Sequence, residues 1–178
     1  MTEKGGTDLQ APITPADHRR GAATPRVTLV EYGDFECPLC RAAEPSLRIL
    51  LAEHSDTVRL VFRHFPIEDA HPHALVAAEA SEAAAAQGKF WEMHDALLVG
   101  KARLNRHALD EFAAGLNLDM ALFKASLDDE IYRQRIREQM AGAIRSRLRA
   151  APGFFVNGLV CDVSGGMRAL EEAVERVL

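Results

Sequence analysis

Cysteine is scarce in this chain and odd in number: Cys37 and Cys40 stand close together, and Cys161 lies far away. Three residues cannot close a fully paired disulfide framework. That usage suits a redox or metal pair rather than a stapled secreted domain. Long apolar runs are missing as well. Nothing approaches the ~18 residues a transmembrane helix needs. Residues 1–26 also lack the ~7–15 apolar residues that follow a basic start in a secretory leader. The expectation is a protein of the cytoplasm with no membrane insertion. Excess positive charge is absent too: the formal charge is −5, which argues against general nucleic-acid binding. There is no internal repeat.

What remains is a chain of 178 residues, nearly half of them apolar, long enough for one domain with an insertion and a core that needs no staples. Residues 1–25 read as a flexible polar arm, with Gly5, Gly6, Pro12, Pro15 and Pro25 spread through it, and order is expected to begin at Val27. The run VTLVEY (27–32) is β-branched and nearly continuous in apolar character, as in a buried central strand. Gly33-Asp34 breaks it. Pro38 then suits a first helical position, and Leu47, Leu50 and Leu51 predict a helix to about residue 54. Val58, Leu60 and Phe62 predict a second strand, completing a β-α-β unit with a parallel pair.

Residues 72–148 carry no strand signal. An alanine-rich helix over 73–87 ends at Gly88. Phe90, Met93 and Leu97 mark the next helix. Asn105 caps a third, with Leu109, Phe112 and Leu116 inward, and Asp119 a fourth, with Leu122, Phe123 and Leu127. A last helix runs from about residue 129 with Tyr132, Ile136, Met140, Ile144 and Leu148 near one face. Strand character returns at 154–156. Asn157-Gly158 is a hairpin signal, 159–161 the partner strand, and Leu170, Val174 and Val177 mark a closing helix. The order is β-α-β, a helical block, then β-β-α.

The cysteines fall where chemistry favours a thiolate, the form that attacks disulfides. Cys37 precedes Pro38, so its sulfur meets the unpaired N–H groups and positive end of a helix. Thiols so placed fall from about 8.5 to roughly 3.5–7.5. Cys40, a turn later and deeper, would resolve the mixed disulfide. Zinc is the competing reading. It needs four ligands, and the chain has no second CxxC, leaving Cys161, His64, His71 and His73 as candidates. Two reduced structural cysteines are the third.

The stretch VTLVEYGDFECPLC (27–40) resembles the active-site strand and turn of bacterial DsbA-like proteins of the thioredoxin superfamily. The resemblance continues through VFRHFPIEDAHPHALVAAEASEAAAAQGKFWEMHDAL (61–97) and APGFFVNG (151–158). The opening also looks like thioredoxin domains fused behind some sodium/proton antiporters. The resemblance implies an α/β thioredoxin fold over residues 26–178, with a helical insertion at about 67–149. It implies a thiol–disulfide oxidoreductase that needs no cofactor or metal. Cys37 and Cys40 match the redox pair, and Glu31 the buried acid beneath it, a proton carrier for Cys40. Pro152 matches the proline with a cis bond before it, here Ala151–Pro152. Ala151 and Pro152, with Pro38 and Leu39, are expected to meet an extended substrate. The implied partners are a disulfide- or thiol-containing protein or small thiol, and a thiol electron donor or acceptor.

Two departures bear on this. Leu39 stands where a histidine favours the thiolate in strongly oxidising relatives, so a milder couple is expected, and Asp34 and Glu36 push the same way. Ala150-Ala151-Pro152-Gly153 replaces the usual Gly-Thr-Pro-Thr, and the lost hydroxyl bears on substrate choice. His71 and His73 read as residues at a helix start before they read as metal ligands. His64 and His94 read as hydrogen-bonded core groups, and Cys161 as a buried strand residue. Arg133, Arg135, Arg137, Arg145, Arg147 and Arg149 form a solvated surface, with an acidic partner as the alternative. A non-catalytic thioredoxin-like binding module is the competing functional class.

Overall fold

The computed structural model describes residues 8–100 and 103–178. Strand β1 (His18–Gly21) precedes β2 (Val27–Gly33), helix α1 (Pro38–Glu53) and β3 (Val58–His64). Five helices follow: α2 (Ala74–Ala85), α3 (Phe90–Val99), α4 (Arg106–Gly115), α5 (Met120–Asp128) and α6 (Arg133–Arg145). The chain then closes with β4 (Gly153–Val156), β5 (Leu159–Cys161) and α7 (Arg168–Glu175). One mixed sheet runs β1-β3-β2-β4-β5, with β2 and β3 parallel and the other neighbours antiparallel. This is the thioredoxin fold with a helical insertion between β3 and β4.

Period-two alternation sorts the sheet into two cores. Val27, Leu29, Leu60, Phe154 and Val156 pack on Ala43, Leu47 and Leu50 of α1 and on Leu170 and Val174 of α7. Val30, Tyr32, Val61 and Phe155 face the helical block. Each buried leucine of α1 contributes about 2 kcal/mol by the area it withdraws from water. Among the described residues no helix is long and apolar enough to cross a membrane.

Several expectations need correcting. Of the arm read over 1–25, residues 1–7 lie outside the described residues, and the remainder is structured. His18–Gly21 pairs with β3, Leu9 is buried, and the Leu9 amide bonds the Gly158 carbonyl at 3.0 Å. Arg63, only 4% exposed, supplies the reason: its guanidinium binds Asp17 and the carbonyls of Ala11 and Pro12. Leu122 and Ile144, placed on inward stripes, are exposed, while Phe123, Leu127 and Ile136 of the same stripes are buried as expected. Cys161 is half-buried rather than buried. Nor are the arginines all solvated: Arg133 and Arg135 bind Glu79 and Glu82, buried acids of α2, at 3.1 and 3.0 Å.

Candidate active site

The turn between β2 and α1 is held by two acids. Asp34, 2% exposed, accepts the Glu36 amide at 2.8 Å and the Ile67 amide at 2.9 Å, and meets His71 Nδ1 at 2.7 Å. Glu36 accepts the His73 amide at 2.6 Å and contacts its Nδ1 at 3.0 Å. The loop before α2 is thereby tied to the cysteine turn. His71 and His73, weighed above as metal ligands, hold these acids. Among the described residues, two clusters have metal-like spacing, His18–His64–Glu82 and Glu44–His94–Asp95, and neither includes a cysteine.

Cys37 occupies the N-cap of α1 with ψ of 122°, and Pro38 follows as the first helical residue. The two thiols respond in opposite directions. Cys37 is brought down from 9.0 to about 6, chiefly by the hydrogen bond from Cys40, against burial, with help from the amides of Cys40 and Leu39. The Asp34 charge works against it, as the sequence suggested. Cys40 is pushed far upward by the bond it donates to Cys37, then by burial and the Glu31 charge. It is 1% exposed against 5% for Cys37. The thiol of Cys37 also donates to the Ala151 carbonyl at 3.3 Å, a bond its thiolate loses.

Glu31 lies beneath the pair with zero exposure, and neither carboxyl oxygen has a hydrogen-bond partner among the described residues. Burial raises it from 4.5 to about 8, and the Glu44 charge adds to the effect. Gly33 makes room for it: a Cβ there would fall 2.5 Å from the Phe62 ring and 3.4 Å from Glu31 Oε1.

The Ala151–Pro152 bond is cis. Ala151 is buried and Pro152 half-exposed, while Leu39 is 66% exposed. A groove of about 750 Å³ opens beside them, with Leu148, Val160, Val163 and Met167 among its walls. The structure thus gathers Cys37, Cys40, Pro38, Leu39, Ala151, Pro152 and Glu31 around one helix end. Sequence reading missed Glu44 beside Glu31 and the two acid–histidine ties. Acids at 34 and 36 matched by histidines at 71 and 73 were the available signal.

A parallel β2–β3 pair, a dithiol opening α1 and a cis-proline loop beside it define a thioredoxin-fold dithiol protein. A family model described as Thioredoxin matches residues 13–176, and the chain belongs to that family. It is 46% identical over 172 residues to the Na(+)/H(+) antiporter NhaA 1 of Salinispora arenicola, covering 96% of this chain and 26% of that protein. It is 43% identical over 151 residues to the Na(+)/H(+) antiporter NhaA of Herminiimonas arsenicoxydans, covering 84% and 24%. The chain therefore spans about a quarter of the length of these relatives. Among solved structures, a thioredoxin-like oxidoreductase from Silicibacter pomeroyi superposes with TM-score 0.82 at 28% identity, covering 92% of each chain. BdbD from Bacillus subtilis superposes at 0.77 with 20% identity, covering 89% of this chain and 91% of that one, a likeness of fold.

Proposed function

We propose that this chain is a thiol–disulfide oxidoreductase in which Cys37 attacks and Cys40 resolves. The observation that carries the reading is the opposed acidity of two thiols one helical turn apart. Near pH 7 Cys37 is mostly thiolate while Cys40 keeps its proton. In the reducing direction, Cys37 thiolate bonds one sulfur of a substrate disulfide and the other sulfur leaves as thiolate. Cys40 gives its proton to ionised Glu31 and attacks the Cys37 sulfur, and the second substrate thiolate departs. Two electrons pass from the dithiol to the substrate, whose thiolates take protons from solvent. In the reverse cycle a substrate thiolate attacks the Cys37–Cys40 disulfide, and Glu31 protonates the departing Cys40.

Leu39 brings no charge to the pair, which supports a milder couple than a strong oxidant. We keep the cytoplasm as the proposed compartment, where such a pair would rest reduced and favour reduction or isomerisation. The proposed substrates are disulfide- or thiol-bearing proteins or small thiols, with a second thiol as electron partner. The exposed Leu39 and the adjoining groove support an extended segment lying against Ala151 and Pro152. A second reading, a non-catalytic module, is favoured by one finding: the relatives are named as antiporters, and this chain matches a quarter of them. Insulin-disulfide reduction separates the two. Turnover with dithiothreitol or glutathione that is lost in Cys37→Ser supports the enzyme. Wild-type protein inert with both reductants supports the module.

A further inference from the structure

The loop between β3 and α2 closes on the cysteine turn at a single carboxylate oxygen. Phe65 prolongs the β2–β3 ladder, its amide bonding the Gly33 carbonyl at 2.8 Å. The chain then doubles back, and the Ile67 carbonyl accepts the amides of Ala70 and His71 at 3.0 and 2.8 Å. Both ends of this short turn reach Asp34 Oδ2, the Ile67 amide at 2.9 Å and His71 Nδ1 at 2.7 Å. Pro72 restricts the backbone just beyond His71. An ionised carboxylate only accepts, so Nδ1 carries a proton in this contact.

Asp34 touches both cysteines through its backbone: its carbonyl accepts the Cys37 amide at 3.1 Å, and its amide meets Cys40 Sγ at 3.4 Å. Its side chain has zero exposure, so water does not screen its charge. Asp34 is also the acid whose charge opposes the Cys37 thiolate. Among the described residues no lysine or arginine pairs with it, and His71, 19% exposed, is the one partner that can carry positive charge. The Ile67 amide alone would close the loop. A ring nitrogen on the same oxygen adds a second donor at the carboxylate that faces the attacking sulfur. The ionisable groups around the turn are Glu31 on β2, Asp34 and Glu36 on the turn, Cys40 and Arg41 on α1, and His71 and His73 on the loop, where His73 holds Glu36.

We propose that His71 is a positioning residue for Cys37: by bonding the Asp34 carboxylate from the loop side, it limits the negative charge that Asp34 presents to the Cys37 thiolate. The inference deepens the thiol–disulfide exchange reading and rests on it. The bond from Nδ1 draws carboxylate charge toward the loop and away from the cysteine turn. Without it the Asp34 charge acts in full, and the thiolate forms at higher pH. A thiolate that forms at higher pH is also the better nucleophile once formed. His71 therefore sets the pH at which the sulfur becomes reactive, not merely its speed. Leu39 brings no charge to the pair, so the balance at Cys37 is struck between Asp34 and a histidine more than thirty residues away.

The test titrates the Cys37 thiolate by its ultraviolet absorbance in the reduced full chain and times mixed-disulfide formation with a peptide disulfide across the same pH range. His71→Leu should raise the midpoint from about 6 to roughly 7. Mixed-disulfide formation should then be about twofold slower at pH 6 and about threefold faster above pH 8, for a Brønsted slope of about 0.4–0.5. A purely structural role gives no such crossing. His71→Phe keeps a ring but no donor, and serves if His71→Leu does not fold. His71→Asn, which keeps an amide donor near the place of Nδ1, should bring the midpoint back toward the wild-type value. Asp34→Asn should lower the midpoint, and His71→Leu added to it should move it no further. An unmoved midpoint in folded His71→Leu or His71→Phe, a rate change equal at every pH, or the same shift with and without the Asp34 charge overturns the proposal. Wild-type protein that titrates but forms no mixed disulfide overturns the exchange reading instead, while the midpoints still judge the His71–Asp34 tie.

Discussion

Replacing Glu31 by Gln tests the buried acid through stability alone, independent of any substrate. The carboxyl ionises near 4.5 in the unfolded chain and about 8 in the folded one. Its folded value is raised, so below 4.5 both states hold the proton and the group costs nothing by ionisation. Between these values the folded protein binds more protons than the unfolded one, and stability falls by about 1.4 kcal/mol per pH unit. At pH 7 the loss is about 3 kcal/mol, and it levels off near 5 kcal/mol above pH 8. Glu31 has zero exposure, so solvent screening calls for no discount. Gln keeps a neutral polar group in the same place but cannot ionise. Urea unfolding of both reduced proteins from pH 4 to 9 should therefore give curves that diverge with rising pH. At pH 7 the variant should melt roughly 6–12 °C higher, at ~2–4 °C per kcal/mol for a domain of this size. Parallel curves across the whole range would falsify the raised acidity constant and remove Glu31 from the chemistry.

The ultraviolet absorbance of the Cys37 thiolate should titrate with a midpoint near 6 and vanish in Cys37→Ser. Cys40→Ala should move that midpoint upward, since it removes the bond that lowers it most; a wild-type midpoint near 9 refutes this account. Arg63→Met should cost roughly 3–5 kcal/mol by breaking a buried ion pair, and limited proteolysis should then cut the 8–17 segment that Arg63 anchors. Asn157 sits at φ of 48° and accepts the Thr28 amide at 2.8 Å, so Asn157→Ala should cost about 2 kcal/mol in denaturant unfolding.

Local signals carried most of the fold. Gly33-Asp34 ends a strand, Pro38 starts a helix, and Asn157-Gly158 turns a hairpin, each by chemistry within a few residues. Asn105 and Asp119 do cap α4 and α5 through their side chains. β1 was invisible because only four residues pair, and what fixes them is distant: Arg63 on β3 and the Trp91 indole, which donates to the Arg19 carbonyl at 2.8 Å. The acids of α2 were hidden by the same kind of distance. Glu79 and Glu82 sit in an alanine-rich run that reads as merely apolar, and their arginine partners lie more than fifty residues away. At the site, adjacency to a helix start made Cys37 and Cys40 legible. Glu44 was not, since β2 and α1 have to pack together before its charge reaches Glu31.

The proton inventory at neutral pH bears on direction. Cys37 is largely ionised, while Cys40 and Glu31 are both largely protonated. A protonated Glu31 can serve at once when the Cys37–Cys40 disulfide is opened, because the departing Cys40 needs a proton. It cannot serve when Cys40 must lose one, until its own proton has gone. In the proposed exchange, accepting electrons is therefore the direction that Glu31 would assist directly at pH 7, and donating them requires that Glu31 first be ionised. The missing charge at Leu39 acts oppositely: without a cation to favour the thiolate, the disulfide is a weaker acceptor. In the proposed exchange, the charge at residue 39 would bear on the equilibrium between the two redox states, whereas Glu31 would bear on how fast they interconvert. On the proposed reading the pair would run the exchange both ways, with the protonation of Glu31 bearing on the rates and residue 39 on the couple.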